Sequence, residues 1–243
     1  VRLVAWNCNM ALHRKAEALM ALRPDIAVIS EVAHPERLRA RAPCDWIEAE
    51  PVWVGRNHNK GLAVFAFNGY RATLAADHAP RLHYIAPVHI DGPLAFNLLA
   101  VWAQNASAGG TRKRQQGPLR RSLTMHRAFL SARPAVVAGD WNSNLIWDKP
   151  GWRSNHMTKV DILERMGLVS AYHALSGEAE GAETVPTHYW RDRRKDGPTY
   201  HIDYVFLPRD WLPGISHFSV GTFEDWCGNG LSDHVPIVVD VDP

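Results

Sequence analysis

The first thirty or so residues restrict the fold more than any other stretch. Val1-Arg2-Leu3-Val4-Ala5-Trp6 reads as a strand that ends at Asn7-Cys8-Asn9, and Asp25-Ile26-Ala27-Val28-Ile29-Ser30 reads as a short apolar strand closed by Glu31. Between them Leu12, Ala16, Leu19 and Met20 recur at helical spacing up to Arg23, and Pro24 stops the helix. A strand, a helix and a strand in about thirty residues imply a right-handed crossover and parallel pairing. Asn7 and Glu31 then emerge at the same sheet edge, where sites in open α/β sheets gather. A carboxylate directly after a buried strand points to function more than to a surface residue opening the next helix, which is expected over Pro35 to Arg41.

The middle of the chain is strand-rich. Strands are expected over Trp46 to Val54, Gly61 to Phe67, Tyr70 to Ala76, Tyr84 to Asp91 and Leu94 to Trp102, paired as antiparallel hairpins. A helix from Pro118 places Leu119, Leu123, His126 and Leu130 on one face, with His126 as packing. Pro134 to Ala138 then forms a second buried strand that runs into Gly139-Asp140-Trp141-Asn142, so the strand-helix-strand theme occurs in both halves. A helix bearing Val160, Leu163 and Met166 ends at Gly167, Ile215 to Phe223 is a strand, and Ser232-Asp233-His234 leads into a last apolar strand, Val235 to Val241. Without a linker or repeat, residues 1–243 read as a single domain of mixed α/β (α+β) class: two stacked sheets with helices outside.

Polar groups collect at the strand ends: Asn7, Glu31, Asp140, Asn142, Asp203, Asp233 and His234. Converging carboxylates repel unless a cation is present, and oxygen ligands suit Mg²⁺, with Mn²⁺ as the second choice; a set poor in His and Cys disfavours zinc. Glu31 and Asp233 are the expected metal ligands, and Asp140 the group that orients or deprotonates a water. Asn7 and Asn142 would donate hydrogen bonds to phosphoryl oxygens, and Asp203 would hold the tautomer of His234. The implied reaction is hydrolysis of a phosphate ester by water. No Ser-His or Cys-His nucleophile is indicated.

Charge adds a partner. From Gly92 to Gly139 there is no Asp or Glu, while Arg112, Lys113, Arg114, Arg120, Arg121, Arg127 and Arg133 all fall there, which favours an anionic ligand. No apolar run is long enough to span a membrane. Three Cys without CxxC spacing, and a strand pattern that begins at Val1, set the expectation of a reducing, cytoplasmic setting, with a trimmed precursor left open.

Taken in order, Trp6-Asn7, Arg23-Pro24-Asp25-Ile26-Ala27-Val28-Ile29-Ser30-Glu31, Gly139-Asp140-Trp141-Asn142, His201-Ile202-Asp203-Tyr204 and Ser232-Asp233-His234-Val235-Pro236-Ile237 resemble the motifs of the endonuclease/exonuclease/phosphatase superfamily. That is the fold of pancreatic deoxyribonuclease and of the abasic-site endonucleases. The resemblance implies a four-layered sandwich of two mixed β-sheets flanked by helices, and metal-dependent phosphoester cleavage. It assigns Glu31 and Asp233 to the metal, Asp140 and Asn142 to water and phosphate positioning, and Asp203 and His234 to an Asp-His dyad whose general base is left open between Asp140 and His234. Lys60-Gly61-Leu62-Ala63-Val64 also resembles the Gly-led strand of the family's middle. Ser30 departs from the usual Gln before the Glu, Trp102 stands where a Tyr or His is common, and Asn105 matches the Asn of the abasic-site group. Ser170 and His173 stand where an Asp and an Arg are common, and take no role from the family.

The family's substrates are diverse, and a monomeric nuclease acting on DNA is the leading reading. Its expected substrate contacts are Trp102, Asn105, Arg112, Arg114, Trp141 and Arg193, with Trp147 and Trp152 in the same loop as Trp141. The alternatives are a phosphatase or phosphodiesterase for a small-molecule or lipid phosphate, and a non-catalytic nucleic-acid-binding module.

Overall fold

Alternation along the strands decides the layers. In the computed structural model, which describes residues 1–104, 117–190 and 194–243, Leu3 and Ala5 pack into one apolar cluster and Val4 and Trp6 into another. Successive side chains of a strand point to opposite faces, so a strand apolar on both needs cover on both. The chain runs β1 (Arg2–Asn7), α1 (Ala16–Ala21), β2 (Ile26–Val32), α2 (Pro35–Arg39), β3 (Val52–Asn57), β4 (Lys60–Ala66), β5 (Arg71–Leu74), β6 (Ile85–Asp91), β7 (Phe96–Trp102), α3 (Pro118–Met125), α4 (Arg127–Ala132) and β8 (Ala135–Asp140). It continues through α5 (His156–Glu164), β9 (Leu168–Ser170), α6 (Ala171–Ser176), β10 (His188–Tyr189), β11 (Thr199–Tyr200), β12 (Asp203–Pro208), β13 (Ile215–Val220) and β14 (Ile237–Val241).

Two six-stranded sheets result, ordered β13-β14-β1-β2-β4-β3 and β5-β6-β7-β8-β12-β9. Each has one parallel pair at its centre, β1 with β2 and β7 with β8, and antiparallel neighbours elsewhere. The sheets share one interface, in which Leu3, Val28 and Val64 of the first meet Val88, Leu98, Val136 and Val205 of the second. Leu12, Leu19 and Leu38 cover the first sheet's outer face, and Leu119, Leu123, Leu130 and Leu163 cover the second's. Each of these buried side chains contributes about 1.5–3 kcal/mol. The architecture is the four-layered mixed α/β sandwich expected from the sequence. No helix among the described residues is long and apolar enough to cross a membrane.

Several elements differ from the pattern-based expectation. The strand expected over Trp46 to Val54 begins only at Val52 and runs to Asn57, while Trp46 packs its ring on Phe65 at 5.3 Å. The first helix is a 3₁₀ turn, Leu12–Arg14, followed by the short α1. Asn9, Met10 and Ala11 before it are all left-handed, with φ of 45, 64 and 52°. The helix from Pro118 breaks at His126, whose buried ring turns to Asp77 at 3.1 Å, so the residue is packing, as expected, and a break as well. The strand from Ile215 stops at Val220, and Phe223–Gly228 forms a π-helical turn opened by Thr222, whose hydroxyl accepts the Asp225 N–H at 3.1 Å.

Gly139 shows why a glycine precedes Asp140. Its φ is +130°, and an added Cβ would lie 2.0 Å from the carbonyl oxygen of Val101 on the parallel neighbour strand. Gly139→Ala is expected to lose about 3 kcal/mol or more of stability, measured by denaturant unfolding; a variant as stable as the parent would contradict this packing.

Candidate active site

Both parallel pairs end at the same edge, and that edge carries the polar groups. In the first sheet Asn7 closes β1 in register with Ser30, and Glu31 follows at a β-bulge with φ of 62°. In the second sheet Asp140 closes β8 opposite Asp203, the first residue of β12. Asn142, with φ of 46°, folds back so that its backbone N–H donates to Asp140 Oδ1 and its side chain to Oδ2, each at 2.8 Å. The loop before β14 is tied to β1: Ser232 Oγ donates to the Asn7 carbonyl at 2.6 Å, and Trp6 Nε1 donates to the His234 carbonyl at 3.1 Å. These bonds bring Asp233 and His234 to Asn7 across nearly the whole chain.

Asn7, Glu31, Asp140, Asn142, Asp233 and His234 all line one cleft of about 710 Å³. Asp203 lies behind it, fully buried, and its Oδ2 meets His234 Nδ1 at 2.8 Å. Thr187 Oγ1 accepts the N–H groups of Ile202 and Asp203, both at 3.0 Å, and so orients that carboxylate. Asp203 Oδ1 is buried without a partner. Asn7 Nδ2 bridges two acids, donating to Asp140 Oδ2 at 3.0 Å and to Glu31 Oε1 at 3.3 Å. Lys60 Nζ pairs with Glu31 Oε2 at 2.7 Å.

Electrostatics separates these groups. Burial, then the charge of Asp203, pushes the Asp140 carboxyl up to about 7, against the lowering effects of His234, Asn7 and Asn142. Burial alone would depress the His234 imidazolium. The charge and hydrogen bond of Asp203, with Asp140 and Asp233 behind them, outweigh it and raise the group to about 10. Burial would likewise raise Asp233, but the hydrogen bond with His188 and the charges of His234 and His188 hold it well below the usual carboxylate range.

His188 was not among the residues singled out from the sequence. Its β10 strand forms a bridge to His234, the two rings lie 4.4 Å apart, and its Nε2 is 3.7 Å from Asp233. Lys60 was noted only as part of a motif, and its place beside Glu31 comes from the β2–β4 pairing. The exposed wall of the cleft is aromatic: Trp147 packs on Tyr200 at 4.8 Å, Lys149 lies over Trp152 at 4.7 Å, and Trp190 is 41% exposed.

Two expected substrate contacts are corrected. Trp141 is 1% exposed and stacks on Phe206 at 4.8 Å, so it is core beneath the cleft and offers no face to a base. Trp102 is buried too, against Tyr84 at 4.5 Å, with Lys60 Nζ 5.2 Å from its ring; it supports the cation that reaches Glu31. Asn105, Arg112, Arg114 and Arg193 lie outside the described residues. Ser30 is buried with its hydroxyl unpaired.

The donor chemistry fits a hard divalent cation. Glu31 and Asp233 line the same cleft, where His188, Asp233 and His234, and Asp140, Asp203 and His234, each bring ligand atoms within 4.8 Å of one another, while Glu31 belongs to neither group.

No family model and no curated protein matches the sequence. Solved structures do. The 3′-5′ exonuclease NExo from Neisseria meningitidis has a TM-score of 0.70 at 17% identity, covering 100% of both chains. A Neisseria NExo variant described as a 3′ phosphatase bound to product DNA hairpin has a TM-score of 0.67 at 16% identity, covering 100% of this chain and 99% of that one. An AP endonuclease from Archaeoglobus fulgidus has a TM-score of 0.65 at 16% identity, again over 100% of both chains. The chain therefore has the fold of the endonuclease/exonuclease/phosphatase superfamily.

Proposed function

We propose that the protein is a divalent-metal-dependent phosphodiesterase that hydrolyses DNA phosphodiester bonds by direct attack of water. The observation that carries this reading is the convergence of Asn7, Glu31, Asp140, Asn142, Asp233 and His234 on one cleft, with Asp203 Oδ2 2.8 Å from His234 Nδ1 behind it. Burial and Asp203 push the Asp140 carboxyl up, to about 7, while Asp203 raises the neighbouring His234 imidazolium, to about 10. Groups whose environments separate their proton affinities divide the acid and base roles. Asp140 then takes the proton of the attacking water, with its carboxylate aimed by Asn7 and Asn142. His234, held by Asp203, donates to a phosphoryl oxygen and stabilises the charge that develops there.

Glu31 and Asp233 would hold Mg²⁺, or Mn²⁺ in its place, and the ion supplies positive charge to the phosphoryl oxygens and leaving group. Lys60 partly neutralises Glu31. DNA is favoured as substrate by the wall of Trp147, Trp152, Trp190 and Tyr200, which offers stacking surfaces beside the cationic Lys149. The DNA-bound NExo structure supports the same choice.

With Mg²⁺ the protein is expected to nick plasmid DNA, and a chelator to stop it. Asp140→Ala and Glu31→Ala should each lower kcat by about 100-fold or more. Full activity in both variants, or faster cleavage of p-nitrophenyl or lipid phosphoesters than of DNA, would overturn the assignment. Trp147→Ala should raise KM about tenfold with kcat little changed, if one base stacks there at about 1–3 kcal/mol; an unaltered KM removes that contact.

A proton measurement tests the acid-base assignment directly. The His234 imidazolium is raised above its unfolded value, so its contribution to stability is complete below about pH 6.5 and disappears as the pH climbs through about 10. In metal-free protein, NMR titration should find His234 charged through pH 8. In Asp203→Asn its titration should move to lower pH, because the main raising contributions are gone while burial still disfavours the charged ring.

A further inference from the structure

A second set of ligating side chains gathers behind the cleft wall, where the loop after β8 meets the segment after α6. His156, the first residue of α5, directs Nε2 at Glu180 Oε2 at 3.0 Å. His173 in α6 directs Nε2 at the same oxygen at 3.5 Å and at Glu183 Oε1 at 3.1 Å. Two ligands of one tetrahedral ion, each about 2.0–2.1 Å from it, stand about 3.3 Å apart. His173, Glu180 and Glu183 each bring one ligand atom within 4.8 Å of the others, close enough for one ion to draw together, while His156 reaches the group only through Glu180.

The surroundings support the same reading. Both imidazoles have their far nitrogen held, His156 Nδ1 by Ser143 Oγ at 3.2 Å and His173 Nδ1 by Ser170 Oγ at 2.8 Å. Such outer contacts fix ring and tautomer in metal-binding histidines. Asn144 Nδ2 donates to Glu183 Oε2 at 3.0 Å, and Oε1 faces His173 while also accepting the Gly181 N–H at 3.0 Å. The side chains of Glu180 and Glu183 are only 15% and 4% exposed, and among the described residues neither pairs with a Lys or Arg. His201, 3% exposed, lies nearby, with its ring centre 6.1 Å from that of His173. Its Nδ1 is committed to the Val185 carbonyl at 2.7 Å and its buried Nε2 has no partner.

We propose that His173, Glu180 and Glu183 form a second metal site, distinct from the Glu31 and Asp233 pair, for a first-row divalent cation of the zinc type, with His156 holding Glu180 from outside it. One imidazole with two carboxylates suits Zn²⁺ first and Mn²⁺ next, while Mg²⁺ and Ca²⁺ favour oxygen ligands throughout. The ion fastens the segment bearing Glu180 and Glu183 to the loop bearing Ser143, Asn144 and Trp147, which line the cleft. It acts on the shape of that wall and takes no part in the chemistry.

The test uses tag-free protein of residues 1–243 carrying Glu31→Gln and Asp233→Asn, so that the cleft pair is disabled, and the metal lost on a further substitution reports the second site. After chelator treatment and dialysis against Zn²⁺, Mn²⁺, Mg²⁺ or Ca²⁺, metal content and thermal melting are measured. One equivalent of Zn²⁺ is expected, with a raised Tm. Adding Glu180→Gln or His173→Ala should weaken Zn²⁺ binding by about 100-fold or more, at least the loss seen when outer contacts of metal sites are removed, and abolish the rise in Tm. If His173→Ala fails to fold, Glu180→Gln carries the comparison. No retained Zn²⁺, equal retention in Glu180→Gln, or preference for Mg²⁺ or Ca²⁺ would overturn the proposal. Because the readout is metal content, the result stands apart from whether the protein cleaves DNA.

Discussion

Negative charge brought together at one sheet edge is the constraint around which the site is built. Asp140 and Asp203 face each other across antiparallel strands, with Glu31 and Asp233 on the neighbouring walls. In the low dielectric of a buried edge such repulsion is strong. The molecule offsets it with His234 between the two buried acids, Lys60 on Glu31, His188 on Asp233 and two amides on Asp140. Asp140 still rises to about 7. The remaining imbalance is what makes the cleft suited to a cation and to proton transfer near neutral pH.

Holding these groups depends on the parallel pairs. A parallel pair places both carboxyl-terminal strand ends at one edge, and two such pairs stacked face to face give two edges that share a cleft. Local strain sits at the same points, in the left-handed backbone of Glu31 and Asn142. Regular strand geometry would alternate these side chains away from the cleft; a bulge or a left-handed residue re-aims them.

Much of the sheet core and of this edge was legible in the sequence. The spacing around β1, α1 and β2 required a parallel crossover, and the motifs containing Asn7, Glu31, Asp140, Asn142, Asp203, Asp233 and His234 supplied residues that do converge. Element boundaries in the middle were less legible. Trp46 is as apolar as a strand residue but packs from outside on Phe65, and no local pattern separates the two uses. Trp141 shows the same limit in the site: a tryptophan between two polar strand-end residues looks available to substrate, yet it continues the core to Phe206.

By itself the sequence determined where several buried strands lie, that the first crossover is parallel, and which carboxylates and amides stand at strand ends. Those are properties of periodicity and chain length, which act over a few residues. Only the tertiary structure decided that His188 stands beside His234, that Lys60 reaches Glu31, that Trp102 and Trp141 are buried, and that His156, His173, Glu180 and Glu183 meet. Each of those outcomes rests on register between strands or on how a loop packs against another layer. Such distances arise from the sum of many weak contacts across the molecule, and no local spacing encodes them.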